Sequence, residues 1–291
     1  MPIFLPMTQW LLEFENIYYT YPVSSFPALN GLNMRLPVGK KSAILGYNGC
    51  GKSTLLCLAN GLYQPQRGMV VWQGKPVQYN RKFLAKWRQE VGLVFQDPEQ
   101  QLVAATVAED ISYGLCNLGL PPGEIARRVA AAIADFNLEN VATKPVHHLS
   151  LGQKKRVAIA GVVVLQPQLL LLDEPTAYLD PLQTAQLLVK LQEIHEKGTT
   201  LLVATHDLNF AYEWADWIFV IHQGKLILEG EPEAVFSQPE MERLHLGLPL
   251  IWELWQALPE AMRSSSLGKP VPKTVAELRR YLRDIDVGEN L

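Results

Sequence analysis

The sequence predicts an α/β fold, and three observations predict it. A short apolar strand over residues 42–45 runs directly into a glycine-rich turn and then a helix. A second apolar strand, Leu169 to Leu172, ends in two carboxylates, Asp173 and Glu174, and a third, Thr199 to Ala204, ends at Thr205-His206-Asp207. Strands that are apolar throughout and separated by helical stretches belong to a sheet covered on both faces. At 291 residues, 48% of them hydrophobic, the chain suits one large domain or one domain with an appendage.

Taken in order, residues 11–21 read as an aromatic-rich strand that ends at Pro22, with a second strand over 32–36. Tyr21 lies about 25 residues ahead of the glycine-rich turn, where it can stack on a flat base. Gly46, Gly51, Lys52 and Ser53 have the spacing of the phosphate-binding P-loop. Glycines let the backbone turn so that successive N–H groups, from Gly46 through Asn48, Gly49, Cys50 and Gly51 to Thr54, converge on phosphate oxygens. The helix starting near Lys52 adds its positive dipole end. Lys52 is expected to reach the β- and γ-phosphates, and the Ser53 hydroxyl to hold Mg²⁺, which requires hard oxygen ligands.

After that helix, to Gly61, come a turn at 64–68, a short strand over 69–72 and a turn at 74–76. A buried strand over 91–95 closes on Gln96-Asp97-Pro98. Two helices follow, over 107–118 and 123–136, and Ile125, Val129, Ile133 and Phe136 share one face of the second. His147 and His148 have no carboxylate or cysteine at ligand spacing, which argues against a metal. They precede Leu149-Ser150-Leu151-Gly152-Gln153, where a hydroxyl and bare N–H groups at a helix start form a second anion site. Lys154-Lys155-Arg156 on the first turn opposes the dipole, so it is expected to be a solvated face or a further anion contact. In an open α/β sheet, ligands collect at the carboxyl ends of the strands, which places Asp173 and Glu174 beside the P-loop. Asp173 can hold Mg²⁺, Glu174 can take a proton from an attacking water, and His206 can donate to a γ-phosphate.

The formal net charge of −3 gives no global reason to bind nucleic acid. Three cysteines, Cys50, Cys57 and Cys116, fit a reducing compartment. The start of the chain lacks the pattern of a signal peptide. The most apolar stretch, 157–172, is broken by Gln166, Pro167 and Gln168, so membrane association is expected only through a partner.

These motifs, in this order and spacing over roughly residues 11–230, resemble the ATP-binding-cassette (ABC) ATPases. The resemblance covers the P-loop Gly46 to Thr54, the Q-loop Gln96, the signature Leu149 to Gln153, the Walker B acids, the D-loop Ala177-Tyr178-Leu179-Asp180 and the switch His206. Phe95 to Leu102, Thr106 to Asp110, Gly114 to Leu120 and Gln153 to Gly161 look like the ATPase subunits of energy-coupling-factor (ECF) importers, and the signature tail is similar to the cobalt-transport (CbiO-like) ATPases. The same type serves nickel and vitamin uptake. A soluble ABC ATPase acting on ribosomes or DNA is the rival reading, but it usually has two cassettes or a long inserted coiled coil. The family signature has two glycines, and Leu151 stands in place of the first.

The resemblance implies a P-loop NTPase fold with a mixed central sheet, an antiparallel β subdomain, a helical signature subdomain at about 97–160 and a C-terminal helical extension. The ATPase domain is placed at 8–230 and the extension at 231–291, with helices over 249–258 and 274–283, a break at 264–270, and Val275, Leu278 and Leu282 on one face. It implies ATP and Mg²⁺ as ligands, with Ser53, Gln96 and Asp173 at the metal, and Glu174, His206 and Gln96 catalytic. Ser150, Gly152 and Gln153 would contact the ATP of another subunit. The implied partners are a second copy or a paralogous ATPase, held together by the extension, plus a transmembrane T-component and a substrate-binding membrane subunit. The implied location is the cytoplasmic face of the membrane.

Overall fold

The computed structural model describes residues 10–264 and 271–288. The expected N-terminal boundary at residue 8 and residues 265–270 of the expected break over 264–270 lie outside the described residues, whereas Ser264 is helical. The described residues begin with strands β1 (Trp10–Tyr19), β2 (Leu29–Pro37) and β3 (Lys41–Leu45), helix α1 (Lys52–Ala59), strands β4 (Arg67–Trp72) and β5 (Lys75–Pro76), helix α2 (Arg81–Glu90) and strand β6 (Val91–Val94). The helical region comprises α3 (Val107–Asn117), α4 (Pro122–Asp135) and α5 (Leu151–Val163). Then come β7 (Leu169–Asp173), α6 (Pro181–Glu196), β8 (Thr200–Thr205), α7 (Leu208–Trp214), β9 (Trp217–His222) and β10 (Lys225–Gly230). Among the described residues, five helices follow: α8 (Pro232–Phe236), α9 (Pro239–Arg243), α10 (Leu250–Ala257), α11 (Glu260–Ser264) and α12 (Val275–Gly288).

Two sheets form. The smaller is antiparallel, in the order β2-β1-β4-β5. The larger is mixed, in the order β10-β9-β3-β8-β7-β6, with only β10 antiparallel to its neighbour. β8 lies between β3 and β7, so Leu45, Thr205 and Asp173 end three adjacent parallel strands on one edge of the sheet.

The apolar run of β7 is explained by burial on both faces. Leu169 and Leu171 enter a core shared with α1 and the antiparallel sheet, while Leu170 and Leu172 enter a second core under the helical region and the C-terminal helices. Leu202 and Ala204 against Leu201 and Val203 divide β8 in the same way. Alternation at period two assigns each side chain to a face, and all four leucines of β7 are fully buried. Each contributes about 1.5–3 kcal/mol of burial free energy.

Helix starts in the site-bearing region are closed locally. Thr106 and Glu109 form a capping box on α3, and Ser150 and Gln153 form one on α5. Of the expected apolar face of α4, Val129 and Phe136 are buried and Ile125 and Ile133 pack partly buried against the same core.

The C-terminal helices fold back onto the chain's own core. Tyr212 of α7, fully buried, meets Phe236 and Trp252 edge-on at 5.6 and 5.8 Å, and Trp255 meets Tyr281 at 4.8 Å. The expected apolar face of the last helix holds only in part. Leu278 is buried and Leu282 partly so, but Val275 is exposed: Val271 and Pro272 already pack against the core, and the buried face of the helix runs through Leu278 and Tyr281, leaving Val275 to its side. Between α9 and α10, the His245 carbonyl accepts from the Tyr47 hydroxyl of the glycine-rich turn, and the Leu250 N–H donates to Asn209 Oδ1 of α7 at 2.7 Å.

Candidate functional site

One open cleft at the carboxyl edge of the large sheet is lined by Tyr21, Asn48, Gly49, Gly51, Lys52, Ser53, Thr54, Gln96, Asp173 and Glu174. Ten residues singled out from the sequence thus meet in one place. Gly46 and Cys50 lie behind the loop. A Cβ on Gly46 would fall 2.3 Å from the Ile221 carbonyl and 2.6 Å from Cys50 Sγ, so only glycine lets β3 turn beneath β9. Gly51 has φ +111° and would place a Cβ 2.5 Å from the Ala28 carbonyl. Lys52 is buried and its Nζ donates to the carbonyls of Gly46 at 2.7 Å and Tyr47 at 3.3 Å, which holds the ammonium inside the loop.

The acids come from the end of β7, which β8 separates from β3. Asp173 ends β7, and its Oδ1 is buried with no hydrogen-bond partner. Burial raises its carboxyl above the ordinary range; a bond from Ser53 opposes this, Glu174 adds to it, and Lys52 and Lys155 work against it. A buried, unpaired carboxylate oxygen beside a hydroxyl suits a hard cation, and the set Ser53, Gln96 and Asp173 is all-oxygen in its available ligands, as Mg²⁺ requires.

Glu174 lies just past the strand end in the left-handed region at φ +43°, a conformation that costs a non-glycine residue on the order of 1 kcal/mol or more. The turn aims its buried side chain at the neighbouring strand. Oε2 accepts from Thr205 Oγ1 at 3.2 Å and Oε1 from His206 Nδ1 at 2.8 Å. His206 is thus oriented by Glu174, while most of its side chain stays exposed and it does not itself line the cleft.

Tyr21 is placed differently from a free stacking platform. Its ring meets Tyr19 and Tyr63 edge-on at 5.2 and 5.9 Å, and its hydroxyl is bonded to Thr54 Oγ1 at 2.9 Å. Phe26, almost fully exposed, and Ser24, Pro27 and Ala28 also line the cleft. Sequence reasoning missed them because a short exposed loop has neither periodicity nor a motif.

Ser150, Gly152 and Gln153 are not in this cleft. They start α5, where Ser150 Oγ accepts from the Gln153 N–H at 3.3 Å and the Gln153 side chain accepts from the Ser150 N–H at 2.9 Å. Gly152 lines a separate hollow with Asp180 and Gln183, and a Cβ there would meet Gln183 Oε1 at 2.5 Å. Leu151 projects outward, 36% exposed, from the first turn.

The basic run after the signature is not the solvated face that the dipole argument suggests. Lys154 pairs with Glu99, and Arg156 Nη1 donates to the carbonyls of Phe136 and Asn137 at 3.1 Å each. Lys155, 2% exposed, donates to the carbonyls of Glu174 at 2.9 Å and Gln96 at 3.1 Å. Helix packing turned these three cations toward fixed acceptors, which outweighs their unfavourable place in the dipole. No helix among the described residues is long and apolar enough to cross a membrane.

Comparison with known proteins gives a consistent neighbourhood. A family model described as ABC transporter matches residues 29–177. A putative ABC transporter ATP-binding protein of Nostoc sp. is 59% identical over 250 residues, 86% of this chain and 91% of that protein. An energy-coupling factor transporter ATP-binding protein of Methanocaldococcus jannaschii is 42% identical over 250 residues, 86% of this chain and 89% of that protein. Among solved structures, cbiO1 from Clostridium perfringens, described as part of the ABC transporter complex cbiONQ, is similar with TM-score 0.72 and 42% identity over 86% of this chain and all of that one. A dimeric ATP-binding cassette in a post-hydrolysis state bound to ADP and Pi is similar with TM-score 0.71 and 28% identity over 76% of this chain and 99% of that one.

Proposed function

The chain belongs to the ATP-binding subunits of ABC transporters of the energy-coupling-factor type, and from that premise we propose that it hydrolyses ATP only when it faces a second ATPase subunit. The observation that carries this is the separation of the halves: the cleft holds the P-loop and both acids, but the signature Ser150, Gly152 and Gln153 start a helix elsewhere. A nucleotide seated in one copy is completed by the signature of the other, which is either a second copy of this chain or a paralogue. The likeness to a dimeric cassette supports the pairing.

In this reading the loop from Gly46 to Thr54 wraps the phosphates, Lys52 leaves its carbonyl acceptors for the β- and γ-phosphate oxygens, and Tyr21 borders the base. Ser53, Gln96 and Asp173 hold Mg²⁺, which supplies charge neutralisation on the triphosphate. Glu174 takes the proton of the attacking water, with Thr205 and His206 fixing its carboxylate, and His206 is free to turn its outer nitrogen to the γ-phosphate. Because each copy supplies what the other lacks, ATP favours the closed pair through differential affinity, and loss of the γ-phosphate reopens it.

For the transport role, we place the subunit on the cytoplasmic face of the membrane beneath a transmembrane T-component and a substrate-binding membrane subunit. The helical region, at about 97–160 within an ATPase domain of 8–230, presses on the membrane partner. The C-terminal helices, 231–291, contribute surface to the pairing. The proposed cargo is a transition-metal ion, cobalt, on the similarity of the signature tail to cobalt-transport ATPases and the likeness to cbiO1. Nickel or a vitamin would use the same ATPase unchanged.

The test is Glu174→Gln. Turnover is expected to fall by roughly 10²–10⁴-fold, the contribution of a positioned base, with ATP affinity retained. Light scattering should find ATP-bound pairs that persist. A variant that turns over normally, or stays single at saturating ATP, overturns the assignment. Identification of membrane proteins that co-purify with the chain, followed by metal uptake in reconstituted vesicles, tests the cargo.

A further inference from the structure

The buried lysine of the signature helix has no part in the mechanism above, yet it touches two of that mechanism's residues. Lys155 lies on α5, downstream of Ser150 and Gly152, and is 2% exposed. Its Nζ donates to the main-chain carbonyls of Glu174 and Gln96, at 2.9 and 3.1 Å. Glu174 and Gln96 follow different strands, β7 and β6, and Lys155 is a bond common to both from the helical region. The Glu174 peptide is also the left-handed one, φ +43°, whose setting decides where the carboxylate points.

Burial of this ammonium is costly. Desolvation lowers its pKa to about 8, against the pull of the Asp173, Glu174 and Asp97 carboxylates. A long apolar side chain would fill the same space without that cost. What the ammonium adds is direction. It has donors for two carbonyls at once, so a shift of α5 beyond the reach of the side chain moves those carbonyls or breaks one or both bonds.

We propose that Lys155 is a positioning residue that ties the placement of the signature helix to the setting of Glu174 and Gln96, so that docking of α5 on a partner's nucleotide is transmitted to the chain's own cleft. The inference rests on the two-copy reading above. In that reading Ser150 and Gly152 contact the far nucleotide while Glu174 serves the near one. Lys155 then makes the two sites of a pair depend on each other, with no contact between the ligands.

The experiment compares the wild-type full chain with Lys155→Met, which keeps the volume and removes both bonds, and Lys155→Gln, which retains a donor and guards against a misfolded first variant. Three quantities are read: ATP affinity by calorimetry, ATP-driven pairing by light scattering, and hydrogen exchange in residues 94–101 and 173–178 with and without ATP. In the wild type, pairing is expected to protect both segments, and turnover is expected to rise cooperatively with ATP. In Lys155→Met, affinity stays within about twofold and pairing persists. The added protection in both segments is lost, turnover falls about tenfold or more as expected of a displaced catalytic group, and cooperativity disappears, with Lys155→Gln intermediate. Unchanged protection and cooperativity in Lys155→Met overturn the proposal. So does a parallel loss of affinity in both variants, which makes the lysine a packing element only. If the wild-type chain never pairs with ATP, the two-copy reading itself falls, and that result is seen before any variant is compared.

Discussion

The P-loop half of the nucleotide machinery and the signature half differ first in burial. Lys52, Thr54, Asp173 and Glu174 are all buried, and their main-chain surroundings are fixed by β3, β7 and β8 side by side. Ser150 is exposed on the first turn of a helix and Leu151 projects outward beside it. The buried half is over-determined: Gly46 and Gly51 are hemmed in, its lysine is held by carbonyls, and its glutamate is held by a threonine and a histidine. The exposed half satisfies only its own helix start. The lesson is that a chain can finish the grip on a phosphate by itself and still leave to a second molecule the contact that makes the grip productive.

The sharpest way to break the contrast is to disable the halves in separate molecules. Lys52→Ala is expected to reduce ATP affinity on the order of a hundredfold, from the loss of charge-assisted bonds to phosphate, as read by calorimetry. Ser150→Ala should leave that affinity unchanged and reduce turnover. Mixing the two variants re-creates one site with an intact P-loop from one molecule and an intact signature from the other. Turnover in the mixture above that of either variant alone is the expected outcome, and its absence at every ratio would remove the shared site. The next effect is on stability. Gly51→Ala places a methyl group 2.5 Å from the Ala28 carbonyl at φ +111°, and thermal unfolding should show a loss of about 1–3 kcal/mol. The smallest effect is expected far from both halves, at Glu124 on α4, where hydrogen bonds from Arg127 and Arg128 lower the carboxyl to about 2. A lowered folded-state value contributes stability above the unfolded value near 4.5, and that contribution is lost as pH falls through about 2. Because the pair is solvent-exposed, Glu124→Gln should shift the melting temperature hardly at all at neutral pH.

The sequence made much of the buried half readable. The glycine spacing, the all-leucine strand and the acids at its end are each imposed by local physics, and β7 lies where its apolar run placed it. Ser150 and Gln153 were legible as a helix start for the same reason. Lys155 was not, because a cation in a first turn looks unfavourable until the acceptors arrive from residues 59 and 19 positions away in the chain. Helix α2 and strands β9 and β10 carry no chemical motif that would mark them in the sequence. Their identity rests on packing: Trp87 sits against α1, and β9 lies beside β3. Helical spacing places Val275 with Leu278 and Leu282, but the core meets the helix along Leu278 and Tyr281, a rotation of the face that the amphipathic tyrosine hides from an apolar pattern.

The bond from Tyr47 to the His245 carbonyl, with its companion from Leu250 to Asn209, has a practical corollary for anyone shortening the chain. A cut near Gly230 would discard a clasp that reaches the phosphate-gripping loop on one side and the helix behind His206 on the other. Shortened molecules that stay apart would therefore report on two changes together, weakened association and a slackened loop, and only the intact tail with Tyr47→Phe separates them.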